Sequence, residues 1–277
     1  MVVVESLIPL QATGNRFVVL DAIAGEWPAQ ESVDEPSAGL ARLVESACHD
    51  ERLAPDGLLI LAPATHRGAD VRMIVYNRDG GRAESCGNGL RCVAKLARER
   101  GYVTNDSFTI ETDAGLRRVA VQRHKGDSGE HVHYAQATLG VPQVLALNES
   151  LEIDGATLTV CRIDMGNPHC VVFVDDVDTL AVSELGPRIE DHPRFPQGTN
   201  VEFVARTEDG VAMRVWERGV GETASCGTGA AAVTVAALCT GRADAPLSIF
   251  TRGGVLNVTW EAPGEDVVVG GPVSELV

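Results

Sequence analysis

Two stretches of the chain share one alternation of apolar and polar positions. From Val71 to Tyr76 the run VRMIVY alternates as a half-buried strand does, and VAMRVW from Val211 to Trp216 does the same. A glycine-rich turn follows each. Leu90 to Arg98 and Ala230 to Leu238 are rich in Ala and Leu and predict helices, ended by Gly101 and Gly241. Strands around a glycine turn come next, at Ala114-Gly115 and Gly253-Gly254. The polar, glycine-containing run RHKGDSGEH, from Arg123 to His131, predicts a linker.

The two stretches are copies. VRMIVYNRDGGRAESCGNGLRCV from Val71 aligns without gaps on VAMRVWERGVGETASCGTGAAAV from Val211, at a shift of 140 residues. FTIETDAGLRRV from Phe108 matches LSIFTRGGVLNV from Leu247 at a shift of 139, and Gly14-Asn15 pairs with Gly166-Asn167. Three matches in one order mark the duplication of a half-length α/β unit. The predicted halves are residues 1–131 and 132–271.

Composition narrows the function classes. Apolar residues make up 44% of 277, enough for a sizeable core, and the formal charge is −16. So acidic a chain repels phosphate backbones and anionic lipid surfaces, which argues against nucleic-acid and membrane partners. No window has the roughly 18–20 apolar residues that span a bilayer. The start, MVVVESLIPL, lacks a basic region and a long apolar one, so a cytoplasmic location is expected. Seven cysteines, none in a CxxC pair, argue against a disulfide scaffold or a zinc ribbon.

The repeat gives two of those cysteines a chemical context. Cys86 and Cys226 each precede Gly-x-Gly where a loop enters a helix. Glycine there leaves room for a ligand to approach the backbone. The first helical turn offers unpaired N–H groups and the positive end of the dipole, which suits a carboxylate. The same field favours thiolate over thiol. Two related units packed about a pseudo-two-fold axis are expected to set Cys86 and Cys226 across a cleft, with a substrate carboxylate bonded to Gly87, Asn88, Gly227 and Thr228. One sulfur then removes an α-proton and the other returns a proton to the opposite face. Cys48, Cys92, Cys161, Cys170 and Cys239 lack this context and read as core residues.

SCGNGLRC and WERGVGETASCGTGA closely resemble the two active-site signatures of the diaminopimelate epimerase family. The resemblance runs on through GNRFVVLDA, YNRDG, MGNPHCVVFVDDVD, FPQGTNVEF and a closing GGP. It implies an α/β (α+β) fold of two pseudo-symmetric halves, each a curved, mostly antiparallel sheet wrapped around a central helix, with the active site in the cleft between them. Residues 272–277 would return to the first half. It also implies interconversion of LL- and meso-diaminopimelate, an amino-acid substrate of lysine and peptidoglycan-precursor synthesis. No pyridoxal phosphate, other cofactor or metal would be needed, and the protein would be a homodimer.

Position by position, the resemblance makes Cys86 and Cys226 the acid and base, donor and acceptor interchanging with direction. Gly87, Asn88, Gly227 and Thr228 would hold the reacting carboxylate, and Asn15 would contact substrate. Asn77, Asn167, Asn200, Glu217 and Arg218 would grip the distal end, where an acceptor suits the ammonium and an Arg fork suits the carboxylate. His169 and Glu217 would support the cysteines. Three features depart from the family. Gly14-Asn15-Arg16 stands where GND is usual, Pro55 precedes Asp56 in ERLAPDG, and the chain ends at Val277, about where some members carry an aromatic. The alternatives are a cofactor-independent racemase or isomerase for another amino acid, and a thiol redox or metal-binding protein.

Overall fold

A computed structural model of the protein describes residues 7–25, 38–48, 53–126 and 129–276. The first six residues, residues 51–52 of ERLAPDG and residues 127–128 of the expected linker lie outside the described residues. The chain forms two compact units, residues 1–137 with 271–277, and residues 138–270.

The first unit contains β1 (Ile8–Ala12), β2 (Asn15–Asp21), α1 (Ala38–Cys48), β3 (Gly57–Pro63), β4 (Val71–Asn77), β5 (Arg82–Ala83), α2 (Gly87–Glu99), β6 (Ser107–Thr112), β7 (Gly115–Gly126) and β8 (Gly129–Thr138). The second contains β9 (Gln143–Ile153), β10 (Ala156–Asp164), β11 (Pro168–Phe173), α3 (Val182–Glu190), β12 (Asn200–Arg206), β13 (Val211–Glu217), β14 (Gly221–Thr223), α4 (Gly227–Cys239), β15 (Leu247–Thr251) and β16 (Gly254–Thr259). In β17 (Val268–Glu275), the first residues pair with β16 and the last with β1.

The pairing pattern is the same twice. β1 pairs antiparallel with β2, β2 parallel with β3, β3 antiparallel with β4, and β4 parallel with β6. β10, β11, β12, β13 and β15 repeat those four relations in that order. Even the register is kept, with Val71 opposite Ile110 and Val211 opposite Ile249. The duplication read in the sequence is thus a duplication of fold: two pseudo-symmetric α/β halves, mostly antiparallel, each with a central helix.

Those helices are α2 and α4. Every residue from Asn88 to Ala97 is buried, and α4 is buried from Gly229 to Ala237. The run GAAAVTVAAL is apolar all round except for Thr234, whose hydroxyl donates to Ala230 O at 3.0 Å, and this is what an enclosed helix requires. The charged residues of α2 are tolerated because they are partnered: Lys95 donates to Glu99 at 2.7 Å and to the Val132 carbonyl at 2.9 Å. On another face of the first sheet, Leu43, Val44 and Ala47 of α1 pack with Val18, Leu20, Leu58, Ile60 and Ile74. In the second unit Val182 and Ile189 of α3 pack with Val172, Val201 and Phe203.

Three expectations change. β4 is buried on both faces rather than half-buried, because Arg72, on its polar face, is covered and lies 3.8 Å from Glu111. Residues 123–126 and 129–131 of the polar run are paired strand ends of β7 and β8 rather than a linker, with Arg123 opposite Val132 and His124 opposite His131. The run reads as polar because these strand ends are exposed to water. Cys239 is exposed at the end of α4, whereas Cys48, Cys92, Cys161 and Cys170 are buried as expected.

Candidate active site

Both helices start on a cysteine. Cys86 (φ −145°, ψ 114°) and Cys226 (φ −128°, ψ 119°) are extended N-cap residues. Each sulfur accepts from the amide three residues on, Gly89 N–H at 3.4 Å and Gly229 N–H at 3.3 Å. The sulfur therefore takes the place that a Ser or Asp oxygen usually fills. The N–H groups of Gly87 and Asn88, and of Gly227 and Thr228, belong to the first turn, where the helix supplies no carbonyl to receive them.

The second glycine of each turn serves packing. A Cβ on Gly229 would lie 2.7 Å from Oε1 of Glu202, and one on Gly89 would lie 3.0 Å from Cδ2 of Leu59. Close approach is needed here between helix and sheet, behind the cysteine. Leu59 and Glu202 hold equivalent places in β3 and β12, so one cysteine is backed by a methyl group and the other by a carboxylate.

In the second unit that carboxylate heads a chain of polar contacts. Glu202 is fully buried, and its Oε1 lies 2.7 Å from Nδ1 of His169. Nε2 of His169 lies 3.1 Å from Oδ1 of Asn167, Nδ2 of Asn167 donates to Thr228 Oγ1 at 3.4 Å, and Thr228 Oγ1 lies 3.4 Å from the Cys226 sulfur. Glu217 accepts from the Thr223 hydroxyl and bonds Cys226. Burial raises the Glu217 carboxyl above its ordinary value. Burial, then Glu217 and Glu202, hold the Cys226 thiol well above its own, against the pull of Thr228 and the Gly229 amide. The helix-tip field does not give this cysteine a low pKa, because loss of water and two carboxylates outweigh it.

Arg218 and Asn200 sit beside this chain. Asn200 brackets the turn, donating to Pro168 O at 2.9 Å and accepting from Arg218 N–H at 3.0 Å. The Arg218 guanidinium is exposed and reaches Gln197 O at 3.4 Å. Gly198, at φ +72°, leaves space for its stem: a Cβ there would lie 3.1 Å from Cδ of Arg218.

The first unit brings Asn15 to Asn88. Thr13 (φ 47°) and Gly14 (φ 83°) form the two-residue turn between β1 and β2, with Ala12 opposite Asn15. A β-branched residue in this left-handed region costs on the order of 1–3 kcal/mol, so its surroundings must hold it there. Arg91 does so, donating to Thr13 Oγ1 at 2.7 Å. Nδ2 of Asn88 donates to Oδ1 of Asn15. Asn77 ends β4, opposite Gly57, with its backbone engaged by Gly80 and Gly81.

Glu202 and Arg91 were not singled out in the sequence. Their signal was available, since each is one charge in an otherwise apolar buried run, VEFV and GLRCV. Asp56 was named only as the neighbour of the Pro55 departure, yet it accepts from Asn15 Nδ2 at 3.1 Å and from Arg16 N–H at 2.9 Å. Among the described residues no group of three His, Cys, Asp or Glu is placed to hold a metal ion. No described helix is long and apolar enough to cross a membrane.

Comparison with known proteins agrees with this geometry. The family profile described as "Diaminopimelate epimerase" matches residues 10–139 and 161–275. A diaminopimelate epimerase of Desulforudis audaxviator is 40% identical over 277 residues, covering 96% of this chain and 95% of the relative. One of Ectopseudomonas mendocina is 38% identical over 274 residues, covering 96% and 95%. Among solved structures, a probable proline racemase from Agrobacterium radiobacter has a TM-score of 0.68 at 18% identity, covering 98% of this chain and 90% of that one. A phenazine biosynthesis protein of the PhzF family from Bacillus anthracis has a TM-score of 0.69 at 16% identity, covering 98% and 96%. At such identities these structures show the fold. The relatives, at more than twice that identity over nearly the whole length, show the family: the chain belongs to the diaminopimelate epimerase family and is an isomerase.

Proposed function

We propose that the protein interconverts LL- and meso-diaminopimelate by a two-cysteine acid–base reaction carried by side chains alone, without pyridoxal phosphate or metal. The observation that carries this reading is the pair of cysteine N-caps on equivalent helices, Cys86 on α2 and Cys226 on α4. The carboxylate of the reacting centre accepts first-turn N–H groups from Gly87, Asn88, Gly227 and Thr228. Loss of the α-proton moves charge onto that carboxylate, and donors already aimed at it are worth roughly 3–4 kcal/mol each in the transition state. One cysteine takes the proton from one face while the other supplies a proton to the opposite face, so the stereocentre inverts.

Two resting forms interchange with the direction of reaction. Burial and the neighbouring carboxylates hold the Cys226 thiol above its ordinary value, so taking up charge there works against both. Arg218, Asn77, Asn167, Asn200 and Glu217 bind the distal amino and carboxyl groups, and Glu217 also serves Cys226. The place of the reaction in lysine and cell-wall precursor synthesis, and assembly as a homodimer, rest on the family resemblance.

Reduced enzyme in deuterium oxide is expected to exchange the α-hydrogen of LL-diaminopimelate and to form the meso isomer. Cys86→Ala and Cys226→Ala are each expected to abolish epimerisation. A folded, reduced enzyme that turns over neither stereoisomer would sink the reading, and turnover of another amino acid would then assign it as a related racemase.

A further inference from the structure

Four side chains in the first unit form a line with opposite charges at its ends. Arg91 is 1% exposed. It donates to Thr13 Oγ1 at 2.7 Å, to Pro272 O at 3.4 Å and to Oδ1 of Asn88. Asn88, also buried, donates through Nδ2 to Oδ1 of Asn15. Asn15 donates through its own Nδ2 to Asp56 Oδ2 at 3.1 Å. Asp56 is tied to the start of β2 by two further bonds: it accepts from Arg16 N–H at 2.9 Å, and its own N–H donates to Arg16 O at 2.7 Å.

The chemistry of the end groups fixes the middle. A guanidinium only donates and a carboxylate only accepts, whereas an amide can turn either edge. Arg91 therefore requires the oxygen of Asn88, which turns the Asn88 NH2 toward Asn15. Asp56 requires the NH2 of Asn15, which leaves the Asn15 oxygen for Asn88. Reverse either amide and two donors, or two acceptors, face each other. Each NH2 group also keeps a second N–H beyond the one used within the line.

We infer that Arg91 and Asp56 are positioning residues, whose fixed and opposite hydrogen-bonding polarity locks the amides of Asn88 and Asn15 as N–H donors for the substrate carboxylate. The inference rests on the proposed function for the identity of that carboxylate. Arg91 works at both ends of the arrangement, because it also holds Thr13, in the left-handed turn that delivers Asn15. The second unit reaches the same result differently. Thr228 stands where the first unit has Asn88 and Ala231 where it has Arg91, and its polar line ends on a carboxylate, Glu202. The two halves thus share a backbone plan and differ in which charge anchors the donors.

Asp56→Asn is the decisive variant. It is isosteric and exposed, so the fold should survive, but its amide can also donate and no longer dictates the edge Asn15 presents. With wild-type turnover of diaminopimelate as reference, kcat should fall about tenfold or more at an unchanged melting temperature, since misaimed donors are missed most as charge develops. Arg91→Lys should retain more activity than Arg91→Met, because an ammonium still only donates. Side-chain amide signals of Asn15 and Asn88 in the full chain, labelled with 15N-asparagine, give a reading without substrate. Each should show one ordered state in the wild type and averaging or two states in Asp56→Asn. Wild-type kcat and KM in Asp56→Asn, with unchanged amide signals, would overturn the inference. Should the wild type turn over no diaminopimelate, the proposed function fails while the amide signals still decide whether Arg91 and Asp56 lock the line. Should Arg91→Met not fold, Asp56→Asn carries the test alone.

Discussion

Oε1 of Glu202 lies 2.7 Å from Nδ1 of His169, and neither side chain reaches solvent. The equivalent strands of the first unit carry Leu59 and Phe17 in the same register, so the sheet accepts an apolar pair at these two places. What the pair adds is a fixed imidazole, held against Asn167 and through it against Thr228 and Cys226.

Removing one partner should therefore cost more than removing both. Glu202→Leu leaves His169 buried without its carboxylate and is expected to destabilise by about 3–5 kcal/mol. The double variant Glu202→Leu with His169→Phe copies the first unit and should recover most of that loss, while epimerisation stays impaired. Chemical denaturation of the single and double variants reads the first effect, and turnover the second. A double variant as unstable as the single one would show that the site has no room for the apolar pair.

The acid above Cys226 should be visible in the chemistry of its thiol. Burial, then Glu217, hold that thiol above its ordinary value. Glu217→Gln removes a negative neighbour without a change of shape, so less work is needed to ionise the sulfur. The midpoint of Cys226 alkylation against pH, followed by mass spectrometry, should move to lower pH. A shift to higher pH would mean that Glu217 supports the thiolate.

Helix and sheet press together more tightly under one cysteine than under the other. A methyl group at residue 229 would meet Oε1 of Glu202 at 2.7 Å and its Cγ at 3.2 Å, whereas at residue 89 it would meet the flexible end of Leu59 at 3.0 Å. Gly229→Ala should then destabilise by about 1–3 kcal/mol and Gly89→Ala by less. Thermal melting of the two variants checks the order, and equal losses would contradict it.

Stability should also fall in alkali. Burial raises the thiol of Cys92 from its ordinary value of 9.0 to about 12, and it raises Cys170 and Cys226 as well. In each case the folded value exceeds the unfolded one, so the unfolded chain gives up the proton first. The stabilisation is fully present below pH 9 and is lost as pH rises, for Cys92 up to about 12, at about 1.4 kcal/mol per unit for each such thiol. Denaturation at fixed temperature from pH 8 upward measures it. Replacing Cys92 by Ala should flatten the decline, and an unaltered slope would remove Cys92 from the account.

The sequence by itself determined what is local or repeated. Both helices, the cysteine caps and the glycine turns depend on residues within a few positions of one another, capping reaches only three residues along the chain, and the duplication shows when the chain is laid on itself. The resemblance in SCGNGLRC and WERGVGETASCGTGA gave the family before any coordinate did. Only the tertiary structure decided which charges stand behind the site. Glu202 meets His169 from 33 positions away, Arg91 meets Thr13 from 78, and Asn15 meets Asp56 from 41. Strand register chooses those partners, and register is set by the packing of whole sheets against α2 and α4. The same register explains why Gly89 and Gly229, which look like room for a ligand, instead make room for Leu59 and Glu202. It also explains why Cys226, at a helix tip that favours thiolate, has its thiol raised above the ordinary value: burial comes first, and of the two carboxylates that oppose ionisation Glu202 comes from a strand whose arrival the local pattern cannot record.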